Sequence, residues 1–275
     1  MKPVVFDYHR AASLQDAGAR LTEGGGGCKV IAGGQSLGPM LNLRLVRPER
    51  LVDVRELPEL RRVEETAQAV RYGAALRHAE FEDGAVPDAA RGMLAHVAGL
   101  IAYRAVRNRG TLGGSLAHAD PAADWVLTLP ALDARVHLSG PAGSRSLEAH
   151  AFFLGAFTTA LRDGEILAAV EVPRLSATAA WGYDKICRKV GEFAEASAAV
   201  VVDPERGACR VVAGALDGAP ALLEEVADLL TAQGAAAALA ALPDAVARIL
   251  PDAGPAKRRQ HEVALTRAIR QVYPQ

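Results

Sequence analysis

Two glycine-rich loops constrain this chain more than any other part of its sequence. The longer one runs from Thr111 to Asp124 and the shorter one from Ala32 to Leu37, and each contains two adjacent glycines and a hydroxyl residue. Paired glycines let neighbouring backbone N–H groups point inward together and let a ligand approach the main chain closely. Either loop alone is more often only a tight turn. Two such loops about 80 residues apart can hold one elongated ligand from both sides, and a diphosphate-bridged dinucleotide has that shape.

Length and composition indicate an ordinary globular protein with two domains. The chain has 275 residues, near the upper limit for one hydrophobic core, and its formal net charge is −1. This charge balance does not favour the basic face that nucleic-acid binding needs, so no such partner is predicted. No apolar run reaches the roughly 20 residues of a membrane span. Charged residues follow Phe6 at once and exclude a signal-peptide core, so the expected compartment is the cytoplasm.

The three cysteines, Cys28, Cys187 and Cys209, are scattered along the sequence. No two of them have the C-x-x-C spacing of zinc and iron–sulfur sites. An odd number also argues against a disulfide framework. If this chain carries electrons, an organic cofactor must hold them.

The first 55 residues have the pattern of a βαββ unit. Strands are predicted over Val4–Phe6, Cys28–Ala32 and Leu51–Val54. A helix over Leu14–Leu21, with Ser13 as its N-cap, is expected between the first two. The shorter glycine loop then follows a strand at its carboxyl end, where open α/β sheets bind ligands. The G-x-G-x-x-G fingerprint is absent, which disfavours a nicotinamide-binding Rossmann fold.

The rest of the chain is predicted to mix strands and helices in an α+β arrangement. Short antiparallel strands are expected between residues 60 and 79, and a further strand over Glu165–Pro173. Helices are expected over Pro87–Leu100 and Phe152–Leu161. After a joint of small residues at Ser176–Ala180, three strands precede alanine- and leucine-rich helices. The second domain is therefore expected to be a small three-stranded sheet packed by helices.

The two loops and their surroundings resemble the flavin-binding medium subunit of the molybdenum hydroxylases. The resemblance rests on Ala32–Leu37, on Arg107–Ser115 with Ala119–Asp124 after it, and on Asp184–Ala194. This family includes carbon monoxide dehydrogenase and xanthine dehydrogenase-like enzymes, and the similarity runs the length of the chain. It implies an FAD-binding domain of the PCMH/VAO-type flavin fold over residues 1–176, with subdomains of about 1–55 and 56–176. A C-terminal α+β domain would cover residues 177–275.

The resemblance also implies a non-covalently bound FAD. The two loops would hold its diphosphate and ribityl parts through backbone amides, Asp124 would contact the adenosine or ribityl side, and Lys185 would lie near the isoalloxazine. Ile101 and Leu167 would form apolar walls. Neither loop contains a histidine before His118, so covalent attachment there is not expected. The implied cofactor-binding residues are Ile31, Ala32, Gly33, Gly34, Gln35, Ser36, Leu37, Ile101, Gly110, Thr111, Gly113, Gly114, Ser115, Asp124, Leu167 and Lys185.

Two positions depart from the family pattern. Gln35 stands where members often have His, and both side chains can donate a hydrogen bond. Phe193 stands where carbon monoxide dehydrogenase-type chains often have Tyr, and Phe lacks the hydroxyl group. FAD binding should survive the first change, whereas a hydrogen bond that the family assigns to the Tyr hydroxyl does not carry over to the second position.

The family resemblance implies partner chains. The molybdenum cofactor would belong to a large subunit and the [2Fe–2S] clusters to a small subunit, and the expected assembly is a dimer of heterotrimers. Electrons would pass from the clusters to FAD on this chain and then to a quinone, O₂ or NAD⁺. The substrate would be bound on another chain.

Other interpretations of the same residues stay open at this point. Asp124 suits a helix start, Lys185 an exposed edge strand, and the apolar walls a plain core. Arg107 and Arg109 could be solvated, pair with acids or contact phosphate.

Two other functions also remain. A self-contained flavin-dependent reductase would need its own proton donor, and Ser115 and Glu165 are the candidates. A non-catalytic nucleotide-binding assembly module would need none.

Overall fold

The first part of the chain forms a small parallel sheet covered by a helix. The protein is described here by a computed structural model over residues 2–274. Strands β1, β2 and β3 pair in parallel in the order β1-β3-β2, and Ser13 Oγ caps helix α1 by accepting the Asp16 N–H at 3.1 Å. The elements are β1 (Asp7–Arg10), α1 (Leu14–Gly24), β2 (Cys28–Ile31), α2 (Leu37–Asn42) and β3 (Arg50–Asp53).

The first strand lies later than the sequence pattern indicates. Val4–Phe6 has no regular secondary structure, and β1 begins at Asp7, which pairs with Arg50. The ladder does not continue upstream, because the next N–H of the partner segment, that of Glu49, donates to the Gly27 carbonyl at 2.8 Å on the side of β2. The prediction of a strand at Val4–Phe6 was therefore wrong. The predicted helix and the two strands after it are present, but the short helix α2 separates these strands, so the order is βαβαβ and not βαββ.

The middle part is a five-stranded antiparallel sheet packed by short helices. The strand order is β4-β5-β10-β6-β7, so β10 is the central strand. Its elements are β4 (Val63–Glu65), β5 (Ala69–Gly73), α3 (His78–Glu82), α4 (Met93–Leu100), α5 (Arg104–Arg107), α6 (Leu112–His118), α7 (Asp124–Ala131), β6 (Arg135–Gly140), β7 (Gly143–Glu148), α8 (Ala149–Phe152), β8 (Phe153–Gly155), β9 (Thr158–Thr159) and β10 (Ile166–Pro173).

The predicted helix over Phe152–Leu161 was wrong. Only the four-residue helix α8 is present, and it ends at Phe152, where the β8–β9 hairpin begins. Gly155 and the β-branched pair Thr158–Thr159 favour this hairpin over a continuous helix.

The last part is an antiparallel sheet covered on one face by helices. The three predicted strands are present, and a short fourth strand, β14, extends the sheet in the order β11-β12-β13-β14. A hydrophobic cluster joins this sheet to the helices, separate from the main cluster of the preceding parts. The domain boundary at 176/177 stays a prediction. The elements are β11 (Ala180–Ile186), β12 (Ala196–Asp203), β13 (Ala208–Gly214), β14 (Ala221–Leu222), α9 (Glu224–Gln233), α10 (Ala235–Ile249) and α11 (Pro255–Val272).

None of the helices between residues 2 and 274 is long and apolar enough to cross a membrane.

Candidate functional site

The two glycine loops lie directly against each other. A Cβ atom placed on Gly33 would fall 2.7 Å from the Gly110 Cα and would overlap the Arg109 carbonyl. A Cβ atom on Gly114 would lie 4.0 Å from the Ala32 side chain. Segments that are far apart in sequence therefore form one cradle, and Gly33 is the point of closest approach.

The shorter loop presents backbone donors that the protein does not use. Between residues 2 and 274, no hydrogen bond occupies the N–H groups from Gly33 to Leu37. Gly34 has a φ of +70°, and the Gln35 side chain donates back to the Gly33 carbonyl at 3.2 Å. This run of free N–H groups ends where helix α2 begins, so its donors suit an anionic group.

In the longer loop, most of the N–H groups from Gly110 to Ser115 already donate to other groups of the protein. The N–H groups of Leu112 and Gly113 donate to the carbonyls of Leu76 and Ala74 at 2.9 and 2.8 Å. The N–H of Gly114 donates to Thr111 Oγ1 at 3.1 Å, which caps helix α6, and the N–H of Ser115 donates to the Thr111 carbonyl.

The Gly110 N–H is also occupied, by the Val106 carbonyl at 2.7 Å. The Thr111 N–H has no partner among the described residues. The two loops therefore differ: the first offers donors, and the second offers a close, rigid wall.

Asp124, Tyr183 and Lys185 form a buried network between the middle sheet's helices and strand β11. The Tyr183 hydroxyl donates to Asp124 Oδ1 at 2.6 Å, and Lys185 Nζ lies 2.9 and 3.1 Å from the two Asp124 oxygens. The Asp124 and Lys185 side chains are each 6 % exposed. Asp124 is the first residue of α7, where the helix dipole favours a negative charge.

Burial and the adjacent Asp124 charge raise the pKa of the Tyr183 phenol well above its usual value. The phenol therefore remains a hydrogen-bond donor at neutral pH. Lys185 also approaches the Leu100 carbonyl at 3.5 Å, so its ammonium group lies where α4, α7 and β11 meet.

A second buried contact joins α7 to the longer glycine loop. Trp125 Nε1 donates to His78 Nδ1 at 3.0 Å, and the backbone N–H of His78 donates to the Gly110 carbonyl at 3.0 Å. Burial, with a smaller contribution from Arg107, lowers the pKa of His78 to about 4. The imidazole is therefore neutral at pH 7, and since Nδ1 accepts, the proton is on Nε2.

The predicted apolar wall residues lie in different elements. Leu167 is buried in β10, where the register with β6 shifts, and Ile101 ends helix α4 and is partly buried. The Ile101 and Ala102 carbonyls both accept from Arg107 Nη1 at 2.9 Å.

The two arginines of the loop have different environments. Arg107 forms a two-point ion pair with Glu82, with both distances 2.7 Å, so its role is to pair with an acid. Arg109 is exposed.

Glu165 does not have the properties of a proton donor. Both of its carboxylate oxygens accept from Arg145 at 2.7 Å, and this ion pair lowers the pKa of Glu165. A carboxylate held in this way stays ionised at neutral pH. Of the two proton donors considered for a self-contained reductase, only Ser115 therefore remains.

Phe193 follows strand β11 and is 63 % exposed. It lines a cleft of about 350 Å³ together with Arg188, Gly191, Glu192 and Glu195. Gly191 in the same turn lies against the Ala102 carbonyl, next to the predicted wall residue Ile101.

Sequence reasoning missed Tyr183, His78 and Trp125. Tyr183 and Lys185 are two residues apart on one strand, so they share a face of the sheet, and this alternation was the available signal. Nothing in the local sequence indicates that His78 contacts Gly110, because the contact depends on the tertiary fold.

Comparison with known proteins agrees with this architecture. Residues 4–175 match the model of the FAD binding domain in molybdopterin dehydrogenase. The medium chain of carbon monoxide dehydrogenase from Hydrogenophaga pseudoflava is 39% identical over 202 residues, which are 74% of this chain and 70% of that one. The nicotine 6-hydroxylase medium subunit of Paenarthrobacter nicotinovorans is 36% identical over 228 residues, which are 83% of this chain and 80% of that one.

Solved structures show the same fold over nearly the whole chain. A carbon monoxide dehydrogenase chain from Hydrogenophaga pseudoflava, in an enzyme lacking the Mo-pyranopterin moiety, superposes with a TM-score of 0.92 and 33% identity over 99% of both chains. Quinoline 2-oxidoreductase from Pseudomonas putida 86 gives a TM-score of 0.89 at 32% identity, covering 99% of this chain and 98% of that one.

The predicted fold class, the FAD cofactor and the oxidoreductase class are therefore confirmed. This chain belongs to the family of FAD-binding medium subunits of molybdenum hydroxylase-type dehydrogenases.

Proposed function

We propose that this chain is the electron-transfer subunit of a heteromeric molybdenum hydroxylase, and that it binds FAD non-covalently in the cradle between its two glycine loops. Electrons come from [2Fe–2S] clusters on a small partner chain and leave through FAD to an external acceptor. The large partner chain holds the molybdenum cofactor and the organic substrate. The described cysteines support this division, because Cys28 is buried and no two of the three belong to a cluster motif.

The observation that carries the proposal is the run of unoccupied N–H groups from Gly33 to Leu37, in a loop whose Gly33 packs against the backbone of Gly110. A diphosphate carries roughly two negative charges, and inward N–H groups can satisfy them without a basic side chain. Arg107 is already paired with Glu82, so a phosphate contact from that side chain is not needed. The donor chemistry therefore fits the diphosphate of FAD.

The proposed contacts divide into four groups. Residues 31–37 bind the diphosphate, and Gly110, Thr111, Gly113, Gly114 and Ser115 form the opposite wall. Ile101 and Leu167 exclude water from the rings. Asp124 and Lys185 place opposite charges at one end of the site, where the ammonium group favours negative charge on a ligand.

FAD, when bound, supplies the chemistry that accepts and releases electrons. The chain's own residues bind it, orient it and shield it from water. No residue of this chain needs to act on the organic substrate.

The partner chains are proposed from the medium chains that this protein resembles. The carbon monoxide dehydrogenase and nicotine 6-hydroxylase relatives are a medium chain and a medium subunit, terms that belong to multi-subunit enzymes. A dimer of heterotrimers in the cytoplasm is the assembly we propose.

The test begins with the chain purified from its source organism through an affinity tag. We expect a yellow protein that releases FAD on denaturation, together with a large molybdenum-containing chain and a small iron–sulfur chain. Metal analysis and mass spectrometry identify both. A colourless, monomeric product would contradict the proposal and favour an assembly module, and turnover by this chain alone with a nicotinamide donor would favour a self-contained reductase.

A further inference from the structure

Strand β11 contacts Asp124 through two side chains, the buried phenol of Tyr183 and the ammonium group of Lys185. Tyr183 on β11 donates to Asp124 Oδ1 at 2.6 Å, the same oxygen that accepts from Lys185 at 2.9 Å. Deleting this hydroxyl would leave Oδ1 with Lys185 alone and would allow the carboxylate to rotate. The phenol therefore fixes the orientation of an ion pair that it does not belong to.

Strand β11 is an edge strand, and one side chain closes its free edge at Tyr183. Gln271 Oε1 accepts from the Tyr183 N–H at 2.9 Å, and Gln271 Nε2 donates to the Tyr183 carbonyl at 3.0 Å. The carboxamide takes the place that a neighbouring peptide group would take in a wider sheet. It fixes the backbone of Tyr183, and of no other residue in β11.

The neighbouring residue explains how Gln271 reaches the strand. A Cβ on Gly182 would lie 2.9 Å from the Ala268 carbonyl carbon and overlap its oxygen. Only glycine lets α11 come this close, and Gln271 lies one turn after Ala268 on the same helix face. Helix α11, strand β11 and helix α7 are thus connected through Gln271, Tyr183 and Asp124.

We propose that Tyr183 is a positioning residue that orients Asp124 and Lys185 toward FAD, and that Gln271 acts through Tyr183. This inference rests on the proposed function, since it requires FAD at the Asp124–Lys185 pair. Tyr183 itself contacts no part of the ligand. Its effect on FAD passes through the Asp124 carboxylate.

The test measures the FAD dissociation constant of the flavin-depleted full chain by fluorescence. Tyr183→Phe should raise it about tenfold, because the lost hydrogen bond is made to a charged group. In an Asp124→Ala background, the same substitution should change it less than about twofold, since the residue through which Tyr183 acts is absent. A merely structural role would give equal effects in both backgrounds.

A second variant, Gln271→Ala, tests the contribution of Gln271. Because the Gln271 side chain is exposed, removing it should not disturb the folding of the chain. Gln271→Ala should raise the dissociation constant about threefold and should have no further effect in Tyr183→Phe. The matched control is Gln260→Ala on the same helix, whose Nε2 donates to Glu195 at 2.9 Å and has no link to Asp124. It should bind FAD like the unmodified chain.

The outcomes separate this inference from the proposed function. Suppose that the unmodified chain binds FAD and that Tyr183→Phe and Gln271→Ala bind it equally well. The positioning role of Tyr183 is then wrong and the FAD site stands. The same conclusion follows if the effects of these variants are additive with that of Asp124→Ala. If the unmodified chain does not bind FAD, both fail.

Discussion

Gly33 and Gly110 are in backbone contact, and this contact closes the cradle. A Cβ on Gly33 would lie 2.7 Å from the Gly110 Cα, and a Cβ on Gly110 would lie 2.7 Å from His78 Nε2. Gly110 is therefore enclosed between the shorter loop and the buried imidazole. The unoccupied N–H groups of the shorter loop are held in place by a contact that neither sequence segment reveals alone.

Replacing Gly33 with Val should abolish FAD retention. The added side chain must push the two loops apart, because the nearest atoms are backbone atoms that cannot rotate away. Flavin content after purification and the FAD dissociation constant measure the effect. Gly26→Val is the control, since a Cβ there meets nothing within 4 Å, and equal flavin content in both variants would refute the cradle.

Breaking the buried ion pair should destabilise the chain. Lys185→Met leaves the Asp124 carboxylate buried with Tyr183 as its remaining side-chain donor. We expect a loss of about 3 kcal/mol in the free energy of unfolding, measured by urea titration of the flavin-free chain. The double variant Asp124→Asn, Lys185→Met should recover part of that loss, because no buried charge then remains.

Lys189→Met is the control for this experiment. Its side chain is 76% exposed, and the change should stay within about 0.5 kcal/mol. If Lys185→Met lost as little stability as this control, the Asp124 carboxylate would be stable in the folded chain without its partner.

The close packing of α11 on β11 should depend on Gly182. Gly182→Ala forces the two elements apart, and overpacking of this kind costs about 2 kcal/mol. The melting temperature of the flavin-free chain should fall, whereas Gly218→Ala, at a position with open space around it, should leave it nearly unchanged. A normal melting temperature for Gly182→Ala would show that the helix can move without cost.

The sequence predicted elements and loops better than it predicted the contacts of the site. The strand that precedes Gly33 and the α+β order follow from local patterns of apolar residues and glycine, and these were confirmed. The Phe152–Leu161 helix failed because apolar content alone does not distinguish a helix from a hairpin.

Tyr183 illustrates the other limit. Its partners Asp124 and Gln271 are 59 and 88 residues away in the chain, and only the folded sheet brings them together. The unequal use of backbone donors in the two glycine loops was likewise not predictable, because the carbonyls of Leu76 and Ala74 that occupy the second loop come from a distant segment.

His78 should make the stability of the chain fall in mild acid. Burial lowers the pKa of His78 from 6.5 to about 4 in the folded chain, so the unfolded state binds the proton first as the pH falls. The contribution is fully present above pH 6.5 and is lost between about pH 6.5 and 4, by about 3 kcal/mol in total. Free energies of unfolding at several pH values should therefore fall more steeply for the unmodified chain than for His78→Gln, in which no imidazole can be protonated. Parallel curves for the two proteins would show that His78 has the same pKa in the folded and unfolded states, and would contradict the prediction.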